Sequence, residues 1–540
     1  MTSCAHRQWR RFAAPLELPR RGLAALALAL ALAWPSPSRA DDLAADRVRG
    51  LIEGLSYDAA RNELAAADPS DRALAVERAR LALYQLDCDS AAAVFDGRDL
   101  QSVSGSDWLA ETSRGCQRVI AATVVDRDEE RSIEIHWQNE HDRALAPWVF
   151  DTVAKARDTL TRDLGVDWPK PTSIVVVSDL LSLSAMTTLP YRSAQTTGTV
   201  AVAKWGRVTL LSPRASHHGY PWLDTIAHEL THLAVTRATG DRAPLWLQEG
   251  IAKREEVRWR NPGPFDDRPS ASAVVRLGFQ AGLAIPLDRL GPSIAMLPSA
   301  EAARVAFAEV TSFVGFYAAD GQVEALPRLL AQFREGKSSD DALVAASGFG
   351  MAEWSRRWRA RVMAEVGEPR SADWDIGRPR VRETRAFRQG ARIAALLAGR
   401  SHWSAALERF DAAVGGSGSA GSVSDQVIQD PSVVSLRARL LEETDRVAEA
   451  EFLVVDPRAV TMSFGPWWAI RGRLACAAGD VADARDSFDQ ALSTDPMDED
   501  VACDPGCPIV QESRVADSST RRTRLCEAAR AAAGSAFDVD

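Results

Sequence analysis

The chain has 540 residues, of which 46% are hydrophobic and 26% are charged, and its formal net charge is −10 at pH 7. A globular chain of this length divides into several domains, because single hydrophobic cores stop growing at about 250–300 residues. The acidic balance argues against proteins that bind nucleic acids or anionic lipids through a basic surface.

The first 40 residues have the pattern of a secretory signal peptide. Several arginines precede a 13-residue apolar run, Gly22 to Trp34, and small residues at Ser38 and Ala40 suit cleavage before Asp41. The run is shorter than the roughly 20 residues that span a bilayer as a helix. We therefore predict removal of residues 1–40, a periplasmic or secreted location and no membrane span afterwards, with a retained anchor as the alternative.

Six cysteines follow the predicted leader, two in the N-terminal region and four near the C-terminus. In an exported protein such a distribution predicts disulfides within each region, with buried free thiols as the alternative. Cys88 and Cys116 are alone in the N-terminal region, so we predict a bond between them. The sequence does not choose among the three pairings of the other four, Cys476, Cys503, Cys507 and Cys526.

The middle of the chain predicts an α+β domain within a mainly helical protein. Residues 41–125 favour a helical hairpin domain, because Ala and Leu recur there at three- and four-residue spacing. The strand patterns then begin with "RSIEIHW" and "TSIVVVSD", with an amphipathic helix ending at Gly165 between them. "GTVAVAKWGRVTLLSP" predicts two strands around a turn at Trp205 and Gly206. We assign residues 126–367 to this domain.

The segment 257–298 is rich in Pro, Gly and Asp, and we expect it to be a surface loop. Helices are predicted to resume from about residue 300. "EPRSADWDIGRPR" has the composition of a linker before the C-terminal region.

The C-terminal region, residues 385–510, contains a segment similar to a tetratricopeptide repeat. Its bulky, small and closing residues have the spacing of that repeat: Trp468, Gly472, Ala484, Phe488, Ala491 and Pro496. Weaker copies occupy residues 403–414 and 445–457, and "GGSGSAGS" interrupts the array. The alternative is an ordinary helical bundle. Residues 511–540 are predicted to be a C-terminal helix and tail.

The string "HELTH", residues 228–232, has the spacing of a metal site. Positions i and i+4 share a helix face, so His228 and His232 can direct ring nitrogens at one point. Glu229 follows the first histidine and can accept a proton from water beside a metal ion. Ile226, Leu230 and Leu233 supply apolar surface for burying this helix.

Eleven residues after His232 begins "APLWLQEGIAKREE", and here the chain resembles the gluzincin metallopeptidases. In that family a W-L-x-E-G-x-A helix follows H-E-x-x-H. The closer resemblance is to the peptidase MA-like branch of exported bacterial proteins, since "FAEVTSFVGFY", "GKSSDDALVAASG" and "WSRRWRARV" follow in the same order. It covers about residues 130–367 and implies a zincin-type fold. It also implies one Zn²⁺ per chain bound by His228, His232 and Glu249, with Glu229 as general base.

Two departures from the family pattern affect these expectations. Lys253 stands where thermolysin-type enzymes have an aspartate that supports a ligand histidine. Asp224, Glu255 or Glu256 could perform that role instead. The G-x-M-E-N strand of aminopeptidases is absent, which favours an endopeptidase.

Two tyrosines are candidates for stabilising the oxyanion of the transition state. Tyr220 precedes the histidine helix and Tyr317 lies in the trailing helical segment, although a structural role is favoured for both. His217 and His218 are expected to be solvated in a loop.

Together these features predict an exported zinc metallopeptidase that acts on peptides or proteins. An extended substrate would add as a strand near Gly198–Ala203. The C-terminal repeats are expected to bind a protein partner or dock on the peptidase domain, and no nucleic acid is expected to bind. The alternative is a protein-binding scaffold with a structural or inactive zincin domain. Structural zinc normally has four protein ligands, and the sequence near "HELTH" offers no fourth Cys or His.

The predicted leader gives a direct test. N-terminal sequencing of the mature protein should begin near Asp41. Recovery of Met1 on the mature, cell-associated protein would contradict this prediction.

Overall fold

A computed structural model describes residues 37–365, with short gaps at 98, 169, 217–218, 263–265, 267–268, 292, 295–296 and 321–323, and then 385–415, 431–455, 464–496, 499–503 and 524–530. Most of the predicted signal peptide, the predicted linker and nearly all of the glycine-serine stretch lie outside the described residues. Within the described part, no helix has the length and apolar character needed to cross a membrane.

From residue 37, where the described part begins, five α-helices precede the sheet: α1 (Pro37–Glu53), α2 (Tyr57–Ala66), α3 (Arg72–Tyr84), α4 (Cys88–Ala93) and α5 (Ser106–Ile120). A bond between Cys88 and Cys116 joins α4 to α5, as predicted. Near the C-terminus Cys503 pairs with Cys526, and Cys476 is also disulfide-bonded.

The sheet has five strands, β1 (Val124–Asp128), β2 (Ile133–Trp137), β3 (Thr172–Val177), β4 (Ala201–Lys204) and β5 (Arg207–Leu211). Their order is β1-β2-β3-β5-β4; β2, β3 and β5 run parallel, and the two edge strands are antiparallel to their neighbours. Parallel neighbours need a crossover, and the predicted amphipathic helix α6 (Ala146–Leu164) provides the one between β2 and β3. Helices α7 (Leu180–Thr187) and α8 (Tyr191–Thr197) follow β3.

Both faces of the sheet are covered. Along β3, Ile174 and Val176 belong to the main core, whereas Val175 and Val177 pack with α3, α4 and α5. This two-residue alternation is what a strand imposes, and a strand buried on both faces is apolar throughout. The N-terminal helices are therefore part of the same layered structure as the sheet.

In the described part of the chain between β5 and residue 365 there are seven α-helices: α9 (Trp222–Thr239), α10 (Leu245–Glu255), α11 (Ala271–Ala281), α12 (Ala300–Asp320), α13 (Ala325–Arg334), α14 (Ser339–Ser347) and α15 (Met351–Ala364). The main core includes residues of all seven helices, together with one face of the sheet and α6. The fold is α+β and mainly helical, as the sequence predicts.

The expectation of a surface loop over residues 257–298 is wrong, because this segment contains α11. Ser270 caps the helix by accepting from the Ala273 N–H, and Gly282 ends it. Val274 and Val275 are buried in the main core. The Pro and Gly residues on either side dominate the composition of the segment. The composition therefore predicts a loop, although residues 271–281 form a short apolar helix.

The described residues of the C-terminal region contain three helix pairs: α16 (Arg385–Ala398) with α17 (Trp403–Gly415), α18 (Pro431–Glu442) with α19 (Val447–Val454), and α20 (Gly465–Ala477) with α21 (Val481–Thr494). They share a second core. A short helix, α22 (Glu499–Ala502), and helical residues 524–530 follow, and both contribute side chains to the main core.

Helix α21 docks on the start of α9. The Tyr220 N–H donates to the Thr494 carbonyl over 2.8 Å, and the Trp222 indole N–H lies 3.5 Å from the Leu492 carbonyl. Trp222 is only 1% exposed. Gly219 has a φ of +66°, and a Cβ there would lie 2.0 Å from the Thr494 carbonyl oxygen. The C-terminal helices are thus held against the segment that leads into α9.

This close approach predicts that Gly219→Ala destabilises the protein more than Gly240→Ala. Gly240 ends the same helix at a φ of +63° but has open space around its Cβ position. Both substitutions strain a left-handed backbone, by about 1–2 kcal/mol. Gly219→Ala also forces overlap with α21, which adds about 1–3 kcal/mol. Urea unfolding of both variants measures the difference, and equal losses would show that the docking contact is loose.

Candidate metal centre

The two histidines lie on α9, a mostly buried helix. It begins after Pro221, has Asp224 in its first turn and ends at Gly240. Ile226 and Leu230 are fully buried in the main core. Burial of the apolar positions fixes the rotation of the helix, so the side chains one turn apart on the remaining face, His228 and His232, are directed together.

Helix α10 supplies the third side chain. It packs so closely on α12 that a Cβ on Gly250 would lie 2.4 Å from a methyl group of Val314 and 2.7 Å from the Val310 carbonyl oxygen. The glycine of "WLQEGIA" is therefore required by helix packing. Glu249 precedes it and faces α9.

The three side chains converge on one point. The two Nε2 atoms of His228 and His232 are 3.2 Å apart, and Glu249 Oε2 lies 3.7 and 3.8 Å from them. Ligands bound tetrahedrally at about 2.0–2.1 Å are separated by about 3.3 Å. Across the described residues, these three form the one group of His, Cys, Asp and Glu side chains close enough to hold a metal ion. The donor set and its spacing fit a divalent metal.

The electrostatics of the site also favour a cation. Burial alone would lower the pKa of His228, but the facing carboxylates of Glu249 and Glu256 raise this pKa to about 9. Burial lowers the pKa of His232. Although burial opposes it, contact with the histidines lowers the pKa of Glu249. A proton on His228 therefore occupies the position that a metal ion would take, and metal binding requires its release.

Glu256 orients the first histidine. Its Oε2 lies 3.0 Å from His228 Nδ1, the ring nitrogen that points away from Glu249. Lys253 Nζ donates to both oxygens of Glu256 at 3.0 Å. Lys253, which stands where related enzymes have a supporting aspartate, therefore holds the carboxylate of Glu256 in place. Glu256 supports the histidine instead.

The other two candidates for this role have different partners. Asp224 accepts hydrogen bonds from Arg260, and Glu255 contacts Arg254 and Arg258. Burial raises the pKa of Glu255 to about 6. The sequence left these two and Glu256 as alternatives, and the structure places only Glu256 against a histidine of the pair.

Glu229 faces the sheet and is outside the converging group. It is 9% exposed, and its Oε2 accepts a 2.6 Å hydrogen bond from the Ala203 N–H on β4. Sequence reasoning missed this contact, because a backbone N–H carries no signature in the residue type.

The two candidate tyrosines have structural partners. The Tyr220 hydroxyl donates to the Leu211 carbonyl. Tyr317 packs on Trp354 and is hydrogen-bonded to Ser347. His217 and His218 lie outside the described residues.

The contact of Glu256 with His228 predicts that Glu256→Gln weakens metal binding by about 10- to 100-fold, since the amide no longer attracts the Nδ1 proton as a carboxylate does. Glu255→Gln is the matched control, because Glu255 is the adjacent buried glutamate and forms ion pairs with Arg254 and Arg258. Competition of each variant with a fluorescent chelator for Zn²⁺ measures the affinity. Equal Zn²⁺ affinities of the two variants would show that Glu256 does not support metal binding.

A comparison with known protein families finds one similarity that includes this site. Residues 152–364 match the model of a family described as the Peptidase MA superfamily. A search of the curated proteins finds no match. The matched segment includes α9 and α10 and hence His228, Glu229, His232 and Glu249. This part of the chain is therefore similar to the Peptidase MA superfamily, and the match supports a zincin-like peptidase domain here.

Proposed function

We propose that the protein is an exported zinc-dependent endopeptidase of the gluzincin type. The observation that carries this proposal is the convergence of His228, His232 and Glu249, with Glu229 on the same helix beside them. The family match supports a metallopeptidase in general. The donor set supports zinc, the sheet edge supports internal cleavage, and the leader pattern of residues 1–40 supports export.

The donor set favours zinc. Two imidazoles and one carboxylate are a common set for catalytic zinc, and three protein ligands leave one coordination position open. A zinc ion bound there supplies Lewis-acid polarisation of a carbonyl and lowers the pKa of water to about 7. A structural site would need a fourth protein ligand, and among the described residues no fourth His, Cys, Asp or Glu belongs to the group.

The side chains of the chain then have separate roles. Glu249 and the two histidines hold the metal, and Glu256 fixes the ring orientation of His228. Glu229 takes a proton from the attacking water and delivers it to the nitrogen of the departing amine. Because it lies outside the converging group, this carboxylate is not needed as a metal ligand and can serve as a base.

The substrate is proposed to lie along β4. This strand is an edge of the sheet and contacts α9. An extended peptide can add to such an edge through backbone hydrogen bonds, independently of its side chains. The edge near Gly198–Ala203 suits the interior of a chain, and the missing aminopeptidase strand also favours internal cleavage.

The C-terminal helices are proposed to be degenerate tetratricopeptide repeats. In support, Gly472 lies where α20 and α21 meet, and a Cβ there would be 2.8 Å from the Phe488 ring. A small residue opposite a bulky one is the expected packing of such a repeat. These helices dock on the peptidase domain through α21, and a protein partner is proposed for their exposed surface, which includes Phe452.

Two substitutions separate the roles of the glutamates. Glu229→Gln keeps the shape of the side chain but cannot accept a proton, so zinc content should be retained while turnover falls by about two to four orders of magnitude. Glu249→Ala removes one of three metal ligands and should lower the zinc content itself. Metal analysis beside hydrolysis of a fluorescent peptide library measures both effects.

The chelator-treated protein is the control for these variants. Its activity should fall with zinc removal and return on addition of zinc. Parental rates for Glu229→Gln would refute the proposed mechanism, and a wild-type protein that binds zinc but cleaves no peptide would support the scaffold alternative.

A further inference from the structure

The hydrogen bond between Glu229 and Ala203 joins the proposed general base to the proposed substrate edge. Glu229 Oε2 and the Ala203 nitrogen are 2.6 Å apart. Charge-assisted hydrogen bonds of this kind are short and strong. The carboxylate is thus held at β4 before any substrate arrives.

The strand register shows that this N–H faces the open edge. Leu211 donates to the Val200 carbonyl over 2.7 Å, so residues 200 and 211 are a hydrogen-bonded pair. Hydrogen-bonded pairs alternate along an antiparallel ladder. The pairs Val202–Thr209 and Lys204–Arg207 are then also hydrogen-bonded. Ala201 and Ala203 therefore direct their N–H and C=O groups away from β5.

An incoming strand needs the same donor that Glu229 occupies. A peptide that pairs with β4 forms hydrogen bonds with the outward-facing groups of Ala201 and Ala203. The Ala203 N–H cannot donate strongly to a substrate carbonyl and to Glu229 together, because a single N–H has one favoured direction.

We propose that an extended substrate takes the Ala203 N–H for its own carbonyl and so releases Glu229 for proton transfer. Strand pairing would then activate the general base, in addition to positioning the peptide. This inference rests on the proposed peptidase function and specifies its substrate class: extended segments long enough to pair with β4.

The hairpin that carries Ala203 is firmly anchored, so release requires a change in the conformation of the Glu229 side chain. Trp205 and Gly206 form its two-residue turn with positive φ angles of 56° and 69°. Arg207 is fully buried and donates to the Leu83 carbonyl on α3 over 2.6 Å. A backbone fixed in this way presents its N–H at a constant position, whereas a Glu side chain can change rotamer.

Peptide length becomes a determinant of turnover. A short peptide that reaches the metal centre without pairing at residue 203 leaves Glu229 bound to its backbone donor. A hydrogen bond to a charged group contributes enough to slow the step by about tenfold or more. The long peptide should therefore have the higher kcat, and the difference should not be confined to KM.

Ala203→Pro tests this directly, because proline lacks the N–H and is tolerated on edge strands where that group faces outwards. Ala201→Pro is the matched control, since it removes the other outward N–H of the same strand. The substrates are one fluorogenic peptide of four residues and one of ten, with the same residues around the cleaved bond. Circular dichroism and zinc content establish that both variants are folded.

The expected result is that Ala203→Pro raises kcat on the short peptide and brings the ratio of the two kcat values close to one. Ala201→Pro should raise KM for the long peptide while preserving that ratio. A ratio that persists in Ala203→Pro overturns the inference but leaves the peptidase function standing. Absence of cleavage of either peptide by the zinc-loaded wild type overturns the peptidase function itself.

The wild-type protein provides a second test, which does not depend on the folding of the variants. Peptides of four to ten residues should show a step in kcat at the length that first reaches β4. A kcat that stays constant over this series contradicts the release of Glu229 by strand pairing.

Discussion

The attraction between the imidazoles of α9 and the carboxylates of Glu249 on α10 and Glu256 at its C-terminal end is the interaction on which the site depends. Two histidines and two glutamates lie between these helices, and burying such groups without partners costs free energy. His228 lies between Glu249 and Glu256, and Lys253 balances the outer carboxylate. His232 contacts His228 and Glu249 through Nε2, whereas its buried Nδ1 has no hydrogen-bond partner among the described residues. The close packing of α12 against α10 at Gly250 fixes the position of α10 relative to the core. A cation at the centre would complete the charge balance.

The sheet and the two terminal regions support this pair of helices from different sides. The turn of the β4–β5 hairpin is held by Arg207, whose pKa burial lowers to about 10. No carboxylate of the described residues pairs with this guanidinium, which donates to backbone carbonyls and to the sulfur of Cys116. The start of α9 is held by Thr494. The N-terminal helices therefore hold β4 and the C-terminal helices hold α9, the two elements beside the proposed substrate position.

Much of this could be predicted from the sequence, because local patterns determine it. Alternation predicted β2, a short apolar run predicted β3, and the turn at Trp205 and Gly206 predicted β4 and β5. The four-residue spacing of His228 and His232 placed them on one face. Glu249 came from resemblance to a family, since spacing alone does not identify a ligand on another helix. Helix α11 was missed because its short apolar run lies between loop-forming flanks.

The remaining features depend on tertiary contacts that no local pattern contains. Which of three acidic residues reaches His228 is decided by the rotation of α10 and by Lys253. The Ala203 N–H reaches Glu229 because the strand register directs it away from β5. Any residue except proline has such an N–H, so the residue type at position 203 does not reveal the contact. Packing of the N-terminal helices on the sheet brings residues 83 and 207 together, which periodicity cannot reveal.

The contacts that complete the site join distant parts of the chain, and this has a consequence for biosynthesis. The bond from Arg207 to Leu83 spans 124 residues, and that from Trp222 to Leu492 spans 270. Contacts of such separation form late, because long loops must close first. The entrance to α9 is complete only when almost the whole polypeptide has been made. Incomplete nascent chains therefore lack the contact that holds the start of α9, and the proposed peptidase site would be fully assembled only near the end of synthesis.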